Sequence, residues 1–297
     1  KILFSKFQML FIGTTPLSGI GQHILKYTKL FPDHKYIEYN QEVPEGEDVF
    51  VFPLPTGDTI YDRLRDIKSK SRSVICMTVC ETETVHEDYG KIFEIFNDIA
   101  VPSEFCREVL SKQFPGTNFH IIRAHVPYKF TPRPEWTLKS GVYRFYHIGN
   151  VLDQRKNTNE IIRAFIELDL PDAMLILKAT ALRPVDIQHP RIKVINGLLP
   201  QDKLDAIHDM CDCYVSFSSS EGIGLGAVEA AIRDKPVILP EYGGAPDYIK
   251  SDYMISCGTQ ELPCDDFLFK KGMIWGKPDF EQLKSYMKEV CEKKIRQ

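Results

Sequence analysis

Short apolar runs alternate with stretches of helical period along most of this chain. In the first part, residues 7–13 (FQMLFIG), 34–39, 48–55, 73–79, 98–102 and 119–126 are compact apolar runs, the pattern of buried strands. Between them, 18–31 places Ile20, Ile24 and Tyr27 at helical spacing. Residues 58–70 open a helix with Asp58 as the expected N-cap, and 103–114 open another with Ser103 in that role. Residues 127–141 hold three prolines and a glycine and have no apolar period, which marks a connection between domains. The alternation then restarts. Strands are predicted at 142–150, 172–180, 191–197, 211–220 and 235–240. Helices are predicted at 157–168, with Ile161, Ile162, Phe165 and Ile166 on one stripe, at 199–210 with Pro200 in the first turn, and at 225–234 and 278–294. The reading is an α/β protein of two Rossmann-like parallel-sheet domains facing an interdomain cleft: an N-terminal domain over 1–127, a linker over 128–141 and a C-terminal domain over 142–278.

Composition changes this picture little. An apolar fraction of 43% and a charged fraction of 26% are those of an ordinary globular protein. A formal net charge of −4 argues against nucleic acid as the main partner, because that surface rewards basic patches. No apolar run approaches the length of a membrane span, and 1–13 reads as a first strand rather than a signal peptide. The eight cysteines include no C-x-x-C pair and sit beside no histidine cluster, so zinc has no support. They read as reduced thiols of an intracellular, cytoplasmic protein.

The chemistry concentrates in SSSEGIGLGAVEAAIRDKPVILP, residues 218–240. A strand ends there and a helix begins, with Gly222, Gly224 and Gly226 between. Glycines at such a junction let a ligand approach the backbone closely. The amides of Ile223, Gly224, Leu225 and Gly226 would be helix-start donors, suited to phosphate. Glu229 lies one turn into the helix, where a carboxylate can accept paired hydrogen bonds from ribose hydroxyls. Glu221 precedes the helix and can reach a sugar beyond the phosphates. A plain turn with a solvated Glu221 explains the same composition. In the first domain, Gly19 and Gly21 mark a similar junction, which close strand–helix packing also explains.

EGIGLGAVEA resembles the E-x7-E motif of retaining GT-B glycosyltransferases, in particular glycosyltransferase family 4. YHIGNVLDQRKNTNEIIRAF resembles the Gly…Arg-Lys-Asn…Ala-Phe segment of that family, and 193–249 follows its C-terminal pattern. CETETVHEDYGKIFEIFNDIAVPSEFCREVL resembles the Glu-Thr and Pro-Ser-Glu-Phe segments of some N-terminal domains. The chain is also similar to compact members encoded by chloroviruses, which would place it in a host cytoplasm.

That resemblance implies a GT-B fold whose closing helix, 279–297, packs back on the N-terminal domain. It implies transfer of a hexosyl group, mannosyl favoured and glucosyl as the variant, from a nucleotide-diphosphate sugar such as GDP-mannose to a glycan or glycoprotein hydroxyl, with retention. Arg155 and Lys156 match the cations that neutralise the diphosphate, Glu229 the ribose ligand, Glu221 the glutamate facing the sugar, and Gly224 and Leu225 the backbone contacts. Gly149 and Asn150 match the strand end beside the donor. Asn150 stands where many members carry Arg, and the spacing to Lys156 is one residue longer, so which of Arg155 and Lys156 fills the lysine role stays open. Glu81 falls where many members have a sugar-facing His, and a solvated loop carboxylate explains it equally well. No D-x-D stretch occurs, so no metal or other cofactor is expected. A homodimer is compatible with this reading. Two alternatives remain: a catalytically degenerate sugar-nucleotide or glycan-binding protein, and a sugar-nucleotide epimerase of the same fold.

Overall fold

A computed structural model describes residues 8–16, 18–126, 141–180 and 183–295. Except for Gly141, the expected linker at 128–141 lies outside them. The chain divides into two compact units, 1–126 with 261–274 and 127–260 with 275–297.

The first unit runs β1 (Met9–Gly13), α1 (Gly19–Thr28), β2 (His34–Glu38), β3 (Asp48–Val51), α2 (Asp58–Lys70), β4 (Ser73–Met77), α3 (Tyr89–Ile95), β5 (Asp98–Val101), α4 (Glu104–Gln113) and β6 (Asn118–Ile121). Its strands form one sheet in the order β2-β1-β3-β4-β5-β6, parallel throughout. β1 and β3 are buried along their whole length, as strands covered on both faces must be. Their Phe11 and Phe50 stack at 4.9 Å within a core that takes Ile24 and Tyr27 from α1. Ser103 caps α4 as expected, its hydroxyl accepting from Cys106 N at 3.2 Å. Asp58 does not cap α2. Gly57 holds that position with φ of 124°, and Asp58 is the first helical residue, where its charge still favours the helix start. Helix α3 is absent from the sequence reading.

The second unit runs β7 (Tyr143–Gly149), α5 (Thr158–Leu168), β8 (Ala173–Ala179), β9 (Ile192–Asn196), α6 (Gln201–Met210), β10 (Cys213–Val215), α7 (Leu225–Ala231), β11 (Val237–Pro240) and β12 (Met254–Ile255). A two-stranded ribbon, β13 (Cys257–Glu261) and β14 (Ile274–Pro278), and helix α8 (Phe280–Ile295) follow. The six-stranded sheet has the order β12-β11-β10-β7-β8-β9 and is parallel. From β7 the chain builds outward through β8 and β9, then crosses to build β10, β11 and β12 on the other side. The order therefore reverses between β7 and β10, the position where open α/β sheets bind ligands at their strand ends.

The two faces of this sheet differ. On one, Phe145, Leu175, Leu177 and Val215 pack against Ile161 and Phe165 of α5 and Leu283 and Met287 of α8. Ile166, expected on the buried stripe of α5, is 47% exposed. On the other face, Tyr146 meets α6 and Tyr214 meets α7. Helix α8 carries Leu283, Met287, Val290 and Cys291 at helical spacing, and these enter the core of the second unit. The segment grouped with the first unit is 261–274.

Candidate functional site

At the reversal point, β7 ends at Gly149 and the chain turns through Asn150, whose carbonyl accepts from Asp153 N at 3.0 Å. A single 3-10 turn, Gln154–Lys156, follows, capped by the Asp153 carboxylate on Arg155 N at 2.9 Å. Asn157 then adopts a left-handed conformation, φ 48°, which Asn tolerates better than most residues. Its side-chain amide donates to Phe217 O at 3.0 Å and Ser219 Oγ at 2.9 Å. Ser219 N donates to Arg155 O at 2.7 Å. These bonds fasten the turn after β7 to the loop after β10.

The result is a compact charge cluster. Lys156 Nζ lies 2.5 Å from Glu221 Oε1, which also accepts from Ser218 Oγ at 2.7 Å. Arg155 Nη1 lies 3.4 Å from Glu221 Oε2 and donates to Ser220 O at 2.5 Å, while Nη2 reaches Asp153 at 3.2 Å. Burial alone would raise the carboxyl pKa of Glu221, but the charges of Lys156 and then Arg155 outweigh it and hold it well below its ordinary value. Glu221 is therefore ionised at neutral pH. The turn at 242–244 supports it from behind, with Gly244 N donating to Glu221 O at 2.7 Å.

Glu221 leads into α7 through Gly222 and Ile223, both buried, and Gly224. Gly224 takes the N-cap position at φ 74°, and a Cβ there would stand 3.1 Å from that of Ala245. The first backbone donors to the α7 ladder are Ala227 and Val228, both to Gly224 O. The amides of Leu225 and Gly226 stand ahead of it. Gly226 has no room for a side chain because the Tyr214 hydroxyl occupies that space.

Glu229 does not share a cluster with Glu221. It is 7% exposed and lies on the α6 side, where His208 Nε2 meets it at 3.2 Å and Gln201 Nε2 at 3.3 Å. His208 Nδ1 contacts Tyr146 Oη at 2.8 Å. Burial lowers the His208 pKa, although Glu229 opposes the shift, so the ring is neutral at pH 7. With Glu229 as an acceptor, the consistent tautomer has Nε2–H donating to the carboxylate and Nδ1 accepting from the tyrosine.

The structure thus brings Gly149, Arg155, Lys156, Glu221 and the 222–226 loop together around the ends of β7 and β10. Asn150 is exposed and shapes the turn. Gly19, Gly21 and Glu81 belong to the first unit. Gly21 has a packing reason, since Thr15 O fills the space beside it, whereas nothing crowds Gly19. Sequence reasoning missed Ser218, Gln201, His208 and His147. The last is buried at the end of β7, with Nδ1 donating to Val215 O at 2.8 Å and a pKa pulled by burial down to about 4. Its Nε2, like Ser220 Oγ beside Glu221, has no hydrogen-bond partner. Buried polar atoms without a partner are uncommon in native structures. Among the described residues, no group of three or more His, Cys, Asp or Glu could hold a metal ion. No helix among them is long and apolar enough to cross a membrane.

Comparison with known proteins agrees with this geometry. A family profile described as "Glycosyl transferases group 1" matches residues 189–289, which hold both glutamates and the glycine loop. No curated protein matches the chain in sequence. Among solved structures, the pneumococcal O-GlcNAc transferase GtfA, in complex with UDP and GlcNAc, superimposes with TM-score 0.55 at 15% identity over 92% of this chain. This chain spans about half the length of that protein, 53%. WaaG, a glycosyltransferase involved in lipopolysaccharide biosynthesis, gives 0.57 at 11% identity over 97% of this chain and 92% of its own. An E. coli trehalose-6-phosphate protein bound with UDP-2-fluoro glucose gives 0.62 at 10% identity, covering 95% and 91%. The fold is GT-B, two parallel-sheet α/β domains. The family profile and the fold together support a glycosyltransferase.

Proposed function

We propose that this protein is a retaining glycosyltransferase of family 4 type. It would move a hexosyl group, mannosyl or glucosyl, from a nucleotide-diphosphate sugar to a glycan or glycoprotein hydroxyl. The observation that carries this reading is the Lys156–Glu221–Arg155 cluster at the strand-order reversal, beside the start of α7.

Cleavage of the donor leaves negative charge on its terminal phosphate. Lys156 is the cation to meet it, because its ammonium is paired with Glu221, whereas Arg155 is also tied to Asp153 and Ser220 O. Preset positive charge of this kind stabilises a charge that develops only as the bond breaks. Arg155 then orients Glu221 towards the sugar. Glu229 takes the ribose, since each carboxylate oxygen accepts more than one hydrogen bond and can hold His208 or Gln201 together with a hydroxyl. With protein cations in this role, transfer is expected to continue in EDTA.

Calorimetry with UDP, GDP, UDP-glucose and GDP-mannose tests the reading, with Glu229→Ala beside wild type. One nucleotide series should bind, and the variant should lose about tenfold or more in affinity. The anomeric configuration of the product, read by NMR, tests retention. If wild type binds no nucleotide, the reading is wrong.

A further inference from the structure

Lys178 lies within the otherwise apolar run of β8 and is 2% exposed, among the most deeply buried side chains of the described residues. It makes no hydrogen bond or ion pair. Lysine side chains are seldom buried this deeply without a counter-charge, since an ammonium is costly to desolvate. No carboxylate offsets that cost: burial is the whole cause of a pKa lowered to about 8. A strand that needed only packing would place Leu or Ile here.

Its position shows what the charge can serve. Lys178 pairs in register with Ile148 of β7 and Ile195 of β9, at the carboxyl end of the sheet. Side chains alternate along a strand. Leu175 and Leu177 face the α5–α8 core, so Ile176 and Lys178 face the other way. Ile176 pairs with Tyr146, whose hydroxyl meets His208, the partner of Glu229. Lys178 is therefore on the Glu229 side of the sheet, one pleat nearer the strand ends, beside Gly149. Arg155 and Lys156 are balanced by Asp153 and Glu221. Among the described residues of this face, Lys178 has no counter-charge, and a ligand anion at the strand ends would supply one.

We propose that Lys178 binds the phosphate next to the nucleoside of the donor, its ammonium donating to a phosphate oxygen. This deepens the nucleotide-sugar reading above and rests on it. Lys156 would serve the departing end of the diphosphate and Lys178 the end that stays attached to the ribose. A lysine stem is long enough to cross one strand spacing, about 4.8 Å, towards the end of β7.

Calorimetry on the full chain tests this with UDP and GDP against uridine and guanosine. For Lys178→Met, the affinity for the diphosphate that wild type prefers should fall about 10- to 100-fold, with that for its nucleoside unchanged. Lys178→Arg should recover part of the loss. The Met variant should melt no lower than wild type without ligand, because it removes an unbalanced buried charge. An independent readout is proton uptake at pH 8.5, obtained from binding enthalpies in buffers of different ionisation enthalpy. Pairing with phosphate raises the lysine pKa, so wild type should draw in protons and Lys178→Met should not. On that face His208 is already neutral, and burial holds Tyr146 protonated. If wild type binds a diphosphate, but the Met variant binds it equally well or loses as much for the nucleoside, the assignment of Lys178 is overturned while the nucleotide-sugar reading stands. If wild type binds no nucleotide, both fall.

Discussion

Replacing Glu221 by Gln keeps the shape of the side chain and removes its charge. In the structure that charge faces Lys156 at 2.5 Å and Arg155 at 3.4 Å. At an effective dielectric of about 20, these contacts are worth roughly 7 and 5 kcal/mol before any cost is counted. Desolvating three charged groups takes back several kcal/mol each, and removing one partner of a buried pair typically costs about 3–5 kcal/mol net. The Gln amide oxygen can still accept from Lys156 and Ser218, so we expect about 2–3 kcal/mol. Urea denaturation in a Trp136→Phe background, where Trp275 of the second unit is the fluorescent reporter, should show a midpoint lower by about 1 M or more. The pH dependence checks the cause. The folded carboxyl is held below its unfolded value of 4.5, so its contribution is complete above pH 4.5 and is lost as pH falls through the folded pKa. The gap between wild type and Glu221→Gln should thus be constant from pH 8 to about 5 and narrow below 4.5. Equal midpoints at pH 7, or a gap undiminished on acidification, would refute an ionised Glu221 as counter-ion to Lys156.

Lys156→Met should weaken the binding of the preferred nucleoside diphosphate about 10- to 100-fold while leaving its nucleoside unaffected, as measured by calorimetry. Equal losses would mean that the phosphate site is misplaced. Gly226→Ala forces the Tyr214 hydroxyl away from Ile148 O, which it now meets at 3.3 Å, and should cost about 1–3 kcal/mol in a denaturant titration. Leu283→Ala removes a fully buried side chain of α8 from the second core and should cost about 2–5 kcal/mol. A negligible change would refute the packing of α8 into that core.

How legible each feature was in the sequence follows from its range along the chain. The long apolar runs of β1, β3, β8 and β11 and the glycine loop ahead of α7 are local patterns, and both were read. Helix α3 has only seven residues, too few to show a period, and β13 (CGTQE) has no apolar alternation at all. Asp58 and Gly57 differ by one position, which composition cannot separate. The destination of α8 was carried over from a resemblance, whereas its apolar stripe shows only that one face is buried, not against what. At the site, Glu221 and Glu229 were identified from one decapeptide. The residues that hold them come from elsewhere: Lys156 is 65 positions from Glu221, and His208 is 21 from Glu229. Lys178 did leave a signal, a single charge inside an otherwise apolar strand. A strand pattern tolerates one such exception, and only burial shows that this one is inside.

The charge state of Glu221 also constrains the chemistry proposed for it. A carboxyl held ionised by two cations has no proton to give at neutral pH, and its lowered pKa makes it a weak base. Neither half of acid–base catalysis suits it. Glu229 is a poor substitute, since it is engaged with His208 and Gln201 on the α6 side. His147 is buried, and its free Nε2 has a pKa near 4, too low to take a proton from a hydroxyl. In the proposed transfer, the acceptor proton then has one well-placed destination, the oxygen of the departing phosphate, whose charge grows as the glycosidic bond breaks. Lys156 and Arg155 would govern the timing of that step. Too strong a hold on the phosphate would suppress its basicity, and the Glu221 carboxylate tempers that hold by sharing both cations.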